Sequence, residues 1–340
     1  MCGLRAVAEI EMKIGNTMSD VSFALIGAAG YIAPKHMKAM TATGGKLVVA
    51  FDQHDSVGVL DSHFPNASFF TEFERFDRHL EKLRRTVSDA VQYVAVCSPN
   101  YLHDAHCRLA LRIGADAICE KPLVINPWNL DQLRELEQEY GKRIYTVLQL
   151  RLHPAVVKLR EEWSTQNSGK KAEVCLTYIT RRGRWYHNSW KGDEARSGGL
   201  AMNIGVHFFD FLIWTFGRVQ RNFLNLRQSS RMSGVLELER ARIKWFLSID
   251  ENDLPAKVRE DGGYAYRAID VDGQEMDLSA GFVDLHSHVY QSILSGDGFG
   301  TEAAQSAIDL VYQLRNSSEV PCREDSHPYM LSRDASVILK

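Results

Sequence analysis

Residues 21–33 read VSFALIGAAGYIA, a short apolar run that passes through a glycine-containing turn. The apolar run predicts a buried strand, and KLVVAFD at residues 46–52 predicts a second strand after an intervening helix. Strand, helix and strand in this order form a βαβ unit, whose strands lie parallel. A glycine turn between strand and helix lets a phosphate approach the backbone N–H groups that begin the helix. This stretch therefore predicts the first unit of a nucleotide-binding sheet.

Strand and helix signals continue to alternate as far as residue 150. The strands AVQYVAVCSP, ADAICEKP and RIYTVLQL are separated by the helical segments HDAHCRLALRIG and NPWNLDQLRELEQEYG. We therefore expect an α/β protein whose residues 21–150 form a Rossmann domain with a doubly wound parallel sheet. No clear period precedes it, and residues 1–20 are predicted to be a disordered extension.

Beyond Arg151 the pattern changes, because strand-like segments follow one another directly. These segments are KAEVCLTYITR, RNFLNLRQ, GVLELE, ARIKWFLSI and YAYRAIDVDG. Several alternate apolar and polar residues and end in glycine or aspartate turns, which is typical of antiparallel strands. Residues 151–340 are therefore predicted to form an α+β domain with an open, mainly antiparallel sheet.

The composition excludes several classes of protein. The 340 residues include 40 Lys and Arg against 43 Asp and Glu, a balance that does not favour nucleic-acid binding. The six cysteines are scattered without zinc-binding spacing, so we predict reduced thiols and no metal site. No apolar run reaches the roughly 20 residues of a membrane span, and the N-terminus lacks a signal pattern. We expect a cytoplasmic protein.

The glycine turn and the acid after the second strand predict a dinucleotide site. Gly27, Gly30, Tyr31 and Ile32 lie where a pyrophosphate meets the start of a helix. Asp52 ends the second predicted strand, 25 residues after Gly27, where a carboxylate accepts hydrogen bonds from the adenosine ribose. A carboxylate there repels a 2′-phosphate, so NAD is favoured over NADP. The alternative is a plain tight turn followed by a loop aspartate.

Polar side chains also follow two later strands, where ligands of an open α/β sheet collect. The segment SPNYLH after one strand offers Ser98, Asn100 and His103 to a cofactor. The triplet EKP after the next strand offers Glu120 to the nicotinamide ribose and Lys121 to a reacting hydroxyl, whose developing alkoxide an ammonium stabilises. The alternative for this triplet is a salt-bridged surface turn.

A helix predicted at Leu200–Phe216 carries Asn203, His207 and Asp210 on one polar stripe. His207 is suited to accept a proton near neutral pH. The alternative is a core histidine satisfied by Asp210. Four other histidines are predicted to be surface or capping residues: His103, His106, His286 and His288.

The segment RRGRWYHNSWKGDEAR at residues 181–196 places five basic residues among two Trp and one Tyr. Arginine binds carboxylates and phosphates in a bidentate manner, and flat aromatic rings pack on sugars and bases. An anionic, sugar-like ligand is the partner that this composition favours. The candidate contacts are Arg181, Trp185, Tyr186, Trp190 and Lys191. The alternative is an exposed charged loop or an oligomer contact.

The glycine turn, SPNYLH, EKP and the downstream GVHFFD, taken in this order, resemble the Gfo/Idh/MocA oxidoreductases over residues 22–316. The resemblance implies a Rossmann domain and a C-terminal α/β domain that binds substrate and forms dimers or tetramers. It also implies a bound nicotinamide cofactor and sugar-type substrates.

The runs GAAGYIAPKH, LQLRLHP and SWKGDEARSGG resemble, within that family, the bacterial UDP-N-acetyl-2-amino-2-deoxyglucuronate (UDP-GlcNAcA) 3-dehydrogenases of lipopolysaccharide biosynthesis. That likeness implies oxidation of the C3 hydroxyl to a 3-keto sugar, which passes to a pyridoxal-phosphate aminotransferase. Some such enzymes reoxidise bound NADH with 2-oxoglutarate, and the sequence leaves open whether this one does.

The resemblance assigns roles to individual residues. Lys121 matches the active-site lysine, His207 the proposed acid/base and Glu120 the acid near the nicotinamide ribose, while LQLRLHP is expected to bring Gln149 to the cofactor. Many family members have Asp where this chain has Asn203, so a His–Asp proton relay is not expected. The alternatives are a dehydrogenase of a free sugar or cyclitol and a non-catalytic NAD-binding regulator.

Overall fold

The first sheet contains six parallel strands in the order β3-β2-β1-β4-β5-β6. The computed structural model describes residues 21–86, 90–165, 169–278 and 284–331, and the predicted extension at residues 1–20 lies outside them. The strands are β1 (Ser22–Ile26), β2 (Lys46–Phe51), β3 (Ser68–Phe70), β4 (Tyr93–Val96), β5 (Asp116–Cys119) and β6 (Ile144–Thr146). The order reverses between β1 and β4, which is the crevice where a doubly wound sheet binds its ligand.

Helices cover this sheet on both faces, and the strands are correspondingly apolar. They are α1 (Ala33–Ala42), α2 (Val59–His63), α3 (Phe73–Arg84), α4 (His103–Arg112) and α5 (Pro127–Tyr140). In β1 the residues from Phe23 to Ile26 are fully buried, as expected for a strand enclosed on both faces. Helix α4 ends before Gly114, whose φ of 80° is the left-handed conformation in which glycine commonly follows a helix.

The second sheet is mixed and mainly antiparallel, with strand order β12-β11-β7-β10-β9-β8. Its strands are β7 (Ala172–Thr180), β8 (Val219–Arg227), β9 (Arg231–Leu238), β10 (Ala241–Ser248), β11 (Ala265–Val271) and β12 (Gln274–Glu275). Only the β7–β10 pair among these described strands is parallel. The remaining helices are α6 (Pro154–Thr165), α7 (Arg184–Asn188), α8 (Glu194–Ser197), α9 (Val206–Phe216), α10 (Ala256–Glu260), α11 (Leu285–Leu294) and α12 (Thr301–Asn316).

The helix predicted at Leu200–Phe216 is not a single α-helix. A π-helical turn at Ala201–Gly205 precedes α9, and such turns often occur at functional sites. The surrounding stretch, Glu194–Phe216, is long and apolar enough to cross a membrane. However, 78% of its most apolar window is buried inside the protein, so it is a core helix.

Helix α11 follows the second sheet in sequence but packs on the first. Its residues Val289, Tyr290 and Ile293 belong to the same apolar cluster as Phe23 and Leu25 of β1. The Tyr290 ring lies 5.7 Å from the Phe23 ring. A late segment of the chain is thereby packed against the Rossmann sheet.

Candidate active site

The turn after β1 has the geometry that a pyrophosphate needs. Gly27 has a φ of 91°, and a Cβ there would lie 2.7 Å from the backbone carbon of Cys97, so only glycine fits. Its N–H donates to the backbone oxygen of Phe51 at 2.8 Å. Within the described part of the chain, the N–H groups of Tyr31 and Ile32 have no hydrogen-bond partner. These free donors at the start of α1 suit an anionic ligand.

Asp52 is held at the end of β2 by two backbone donors. Its carboxylate accepts hydrogen bonds from the N–H groups of Ala29 and His54, both at 2.9 Å. It lines a cavity of about 640 Å³ together with Gly27, Gln53, Ser98, Pro99 and Tyr101. The cavity joins the glycine turn to the end of β2, where the adenosine half of a dinucleotide is expected.

The polar side chains of SPNYLH brace this region. The Ser98 hydroxyl lies 2.8 Å from Nδ1 of His106, and the ring nitrogens of His103 lie 2.7 Å from the Pro122 oxygen and 2.8 Å from the Ser98 oxygen. Asn100 donates to the backbone oxygen of Ser197 at 2.8 Å. The predicted cofactor contacts at Ser98, Asn100 and His103 therefore have partners within the protein. His103 and His106 are buried, so the prediction that they could lie on the surface is wrong.

Lys121 follows β5 and reaches toward the second sheet's helices. Its peptide bond to Pro122 is cis, and its Nζ lies 3.4 Å from the backbone oxygen of Asn203. Burial lowers the pKa of Lys121 to about 8, opposed by Glu120 and assisted by the nearby cations Lys191 and Arg182. The amine can therefore exist in both protonation states near neutral pH, which suits a group that handles protons.

Glu120 is buried between two histidines instead of forming a salt-bridged turn with Lys121. Its Oε1 lies 3.0 Å from Nε2 of His36 and 2.9 Å from Nε2 of His286. Oε2 accepts the N–H of Lys121 at 3.2 Å, so this is the oxygen that a ribose hydroxyl could reach. His286 is buried, which contradicts its predicted surface position, whereas His288 is exposed.

His207 lies on the first turn of α9, close enough to Lys121 for the two charges to interact. Burial lowers the pKa of His207 well below its usual range, and the Lys121 ammonium lowers it further. Among the described residues, neither of its ring nitrogens has a hydrogen-bond partner. Asp210 forms an ion pair with Arg151 at 2.7 Å. The prediction that Asp210 shares a polar stripe with His207 is therefore wrong, and so is the alternative that Asp210 satisfies a core histidine. His207 is therefore a neutral imidazole at physiological pH.

The segment after β7 divides between the site and the surface. The Asn203 amide donates to the Tyr186 hydroxyl at 2.7 Å, and Tyr186 is buried. Lys191 lies over the Trp190 ring at 4.5 Å and the Trp185 ring at 5.8 Å, and Trp185 is exposed. This arrangement places a cation against two aromatic rings, of which Trp185 is exposed. Arg181, by contrast, pairs with Glu251 at 3.0 Å on the surface.

Arg182 is a site residue that the sequence analysis did not select. Its Nε is buried and has no hydrogen-bond partner in the described structure. It lowers the pKa of both Lys121 and Lys191, which places three cations together. An unpaired buried guanidinium nitrogen in such a cluster suits an anionic ligand. The sequence indicates a basic segment but not which of the adjacent residues Arg181 and Arg182 faces the site, because adjacent side chains on an irregular segment point in different directions.

Gln149 begins a short 3-10 turn just after β6. Its side-chain Oε1 is buried and has no hydrogen-bond partner within the described ranges. A buried acceptor without a donor costs free energy unless a ligand supplies one. The position therefore fits the predicted contact with a cofactor.

Comparison with protein families identifies the fold's relatives. The model of the Gfo/Idh/MocA oxidoreductase family with an NAD-binding Rossmann fold matches residues 21–148. The model of that family's C-terminal alpha/beta domain matches residues 170–266. The chain belongs to the Gfo/Idh/MocA oxidoreductase family. Membership confirms the predicted fold class, including the mainly antiparallel second sheet.

Solved structures of this family include a close relative. The WlbA (WbpB) dehydrogenase from Thermus thermophilus is 48% identical, with a TM-score of 0.87 over 91% of this chain and 99% of its own. It was solved with NAD and alpha-ketoglutarate, and with NAD and UDP-GlcNAcA. The WlbA dehydrogenase from Chromobacterium violaceum, 16% identical with a TM-score of 0.71 over 89% of this chain and 94% of its own, shows the fold alone.

A curated family member is more distant. The D-glucoside 3-dehydrogenase of Escherichia coli (strain K12) is 27% identical over 61% of this chain. The chain spans 57% of the length of that relative.

Proposed function

We propose that this oxidoreductase uses NAD to oxidise the C3 hydroxyl of UDP-GlcNAcA to the 3-keto sugar. The observation that carries the proposal is the juxtaposition of Lys121 and neutral His207 beside the cations Arg182 and Lys191. A uronate carries a carboxylate close to its ring hydroxyls, which matches a cationic cluster next to a proton acceptor. The T. thermophilus relative with bound UDP-GlcNAcA supports the same assignment.

The chain's own groups fit NAD. The free N–H groups of Tyr31 and Ile32 would hold the pyrophosphate, Asp52 the adenosine ribose, and Gln149 and Oε2 of Glu120 the nicotinamide end. Bound NAD supplies the acceptor for the hydride that leaves C3.

His207 and Lys121 would divide the proton chemistry. His207 is neutral at physiological pH because its pKa is lowered, so its imidazole can accept the C3 hydroxyl proton. The Lys121 ammonium then donates a hydrogen bond to the developing alkoxide. The amide of Asn203, held by Tyr186, cannot take up a proton as a carboxylate would. The proton on His207 would therefore pass to solvent.

The positive cluster would bind the acidic sugar. Arg182 and Lys191 would hold the carboxylate, and the Trp185 and Trp190 rings offer flat surfaces for a sugar or base. The same cations fit alpha-ketoglutarate, a dicarboxylate, which would reoxidise the reduced cofactor in place. We also propose a cytoplasmic homo-oligomer whose product passes to a pyridoxal-phosphate aminotransferase.

A dehydrogenase of a free sugar or cyclitol is the competing assignment. Turnover of UDP-GlcNAcA should exceed turnover of N-acetylglucosaminuronic acid, which keeps the carboxylate but lacks the nucleotide. Equal rates with the two compounds would favour the competing assignment.

Replacing Asp52 by Asn is expected to relax cofactor choice. The amide keeps one oxygen for the backbone donors but removes the charge that repels a 2′-phosphate. The ratio of kcat/KM for NAD over NADP should fall about 10-fold or more, since like charges in contact cost several kcal/mol. Asp55, which is exposed three residues later, gives the control Asp55→Asn. A ratio unchanged in Asp52→Asn would place the ribose elsewhere.

Arg182→Met is expected to weaken binding of the acidic substrate. Losing a hydrogen bond to a charged group costs roughly 1.5–3 kcal/mol, so KM should rise about 10- to 100-fold. Arg181→Met is the matched control, because the Arg181 guanidinium pairs with Glu251 instead. The KM of each variant for UDP-GlcNAcA is measured by steady-state kinetics. A larger effect from Arg181→Met would reverse the assignment of the two arginines.

A further inference from the structure

We propose that His36 and His286 are positioning residues that hold Glu120 as a carboxylate, and that this carboxylate keeps the neighbouring Lys121 amine protonated. The inference deepens the proposed function, on which it rests for the role of Lys121. Neither histidine touches the proposed reacting atoms, so both would act through Glu120.

The geometry directs two donors at one oxygen. Nε2 of His36 and Nε2 of His286 lie 3.0 Å and 2.9 Å from Oε1 of Glu120. Nδ1 of His36 lies 2.8 Å from the Tyr290 hydroxyl, and the His36 and His286 rings meet edge to face at 5.1 Å. All four side chains are buried.

One set of protons satisfies every contact in this cluster. The Tyr290 hydroxyl donates to Nδ1 of His36, which leaves the proton of a neutral His36 on Nε2. That N–H and the Nε2–H of His286 both donate to Oε1 of Glu120. Burial raises the pKa of Glu120, but the hydrogen bonds from His286 and His36, together with the electrostatic attraction of both rings, hold the pKa well below its usual range. Glu120 is therefore an anion.

The distances favour hydrogen bonds over metal coordination. Ligand atoms around a tetrahedral zinc lie about 3.3 Å apart, given zinc–nitrogen bonds of roughly 2.0–2.1 Å. Both histidine nitrogens lie closer than that to a single carboxylate oxygen. A coordinated Nε2 would also have no proton to donate.

Glu120 is the group that opposes the other influences on Lys121. Burial, Lys191 and Arg182 all lower the pKa of Lys121, and Glu120 raises it. His207 and His103 also face Lys121, and both are neutral at physiological pH because burial lowers their pKa. Around Glu120 itself, Cys97, Cys119 and Tyr290 are neutral because burial raises their pKa. Among these groups, Glu120 is thus the one whose negative charge opposes the loss of the Lys121 proton.

The test measures Lys121 protonation without turnover. Trace acetylation of the purified protein across a pH series, resolved by peptide mass spectrometry, reports the fraction of Lys121 that is unprotonated. Wild type should show an inflection near pH 8. Glu120→Gln, and the double variant His36→Leu/His286→Leu, should move the inflection down by about one pH unit, because a nearby opposite charge is lost. The pH profile of kcat/KM should move in parallel.

Two variants separate this role from simple packing. His286→Gln keeps a donor and should restore the wild-type inflection relative to His286→Leu. His288→Leu, on the exposed side of α11, should change nothing. Circular dichroism identifies variants that have not folded, and the single His286→Leu substitution then replaces the double one.

An inflection that stays near pH 8 in both Glu120→Gln and His286→Leu would overturn the inference. So would stoichiometric zinc in the purified protein that His286→Leu removes. If UDP-GlcNAcA proves not to be a substrate, the labelling shift still tests Lys121 protonation. If the 3-keto sugar forms but the labelling shift is absent, only the positioning role fails.

Discussion

Lys121→Met is expected to lower kcat with UDP-GlcNAcA by about 10³-fold while NAD still binds. General acid–base groups contribute roughly 10²- to 10⁴-fold, and the Lys121 amine is also the donor proposed for the alkoxide. Met preserves the length and most of the volume of the side chain but removes its charge and donors. The reaction is followed as 3-keto product per enzyme, and NADH binding is measured by fluorescence.

Lys257→Met on α10 provides the control, because Lys257 is exposed. It should leave kcat within about two-fold, as expected for a surface substitution. Lys121→Arg keeps the charge but moves it, and should recover only part of the lost rate. A Lys121→Met enzyme with wild-type kcat would show that the reaction does not depend on this amine.

Arg151→Met is expected to lower the free energy of unfolding by about 3–5 kcal/mol, because it strands a buried carboxylate. Nε and Nη2 of Arg151 donate to the two carboxylate oxygens of Asp210 at 3.0 Å and 2.7 Å. Nη2 also donates to the backbone oxygen of Ala303 at 2.7 Å, and the guanidinium lies over the Phe299 ring. The Arg151 guanidinium therefore connects α9 to the start of α12. Chemical denaturation measures the loss.

The double variant Arg151→Met/Asp210→Leu should recover most of this stability, since a buried ion pair replaced as a unit is often neutral. Arg218→Met is the matched control, because its partner Glu239 forms an exposed pair, and it should cost less than about 1 kcal/mol. Equal losses in Arg151→Met and Arg218→Met would contradict the buried-pair account.

The fold could be predicted because its signals are local. Apolar runs indicated five strands of each sheet but not the short strands β3 and β12. Gly27 and Asp52 marked the nucleotide turn through spacing along a single βαβ unit. Lys121 and Glu120 could be placed at the sheet's ligand-binding edge because they directly follow a predicted strand. The single helix expected at Leu200–Phe216 was wrong only in its first turn, where the π-helical backbone has no clear local signal.

The partners of these residues could not be predicted, because they come from distant parts of the chain. His286 reaches Glu120 only because α11 returns to the Rossmann sheet, and no periodicity indicates where a helix packs. Asp210 belongs to Arg151 for the same reason. The choice between Arg181 and Arg182 depends on the direction of adjacent side chains on an irregular segment. His36 lay within a quoted family run, but its contact with Glu120 spans 84 positions.

The proposed activity is oxidation of C3 of UDP-GlcNAcA. The most direct measurement incubates the purified protein with UDP-GlcNAcA, NAD+ and 2-oxoglutarate and follows the sugar nucleotide by mass spectrometry. We expect a product lighter by two hydrogen atoms, matched by 2-hydroxyglutarate if the cofactor is recycled in place. An unchanged sugar nucleotide, with protein that still binds NADH, would contradict it.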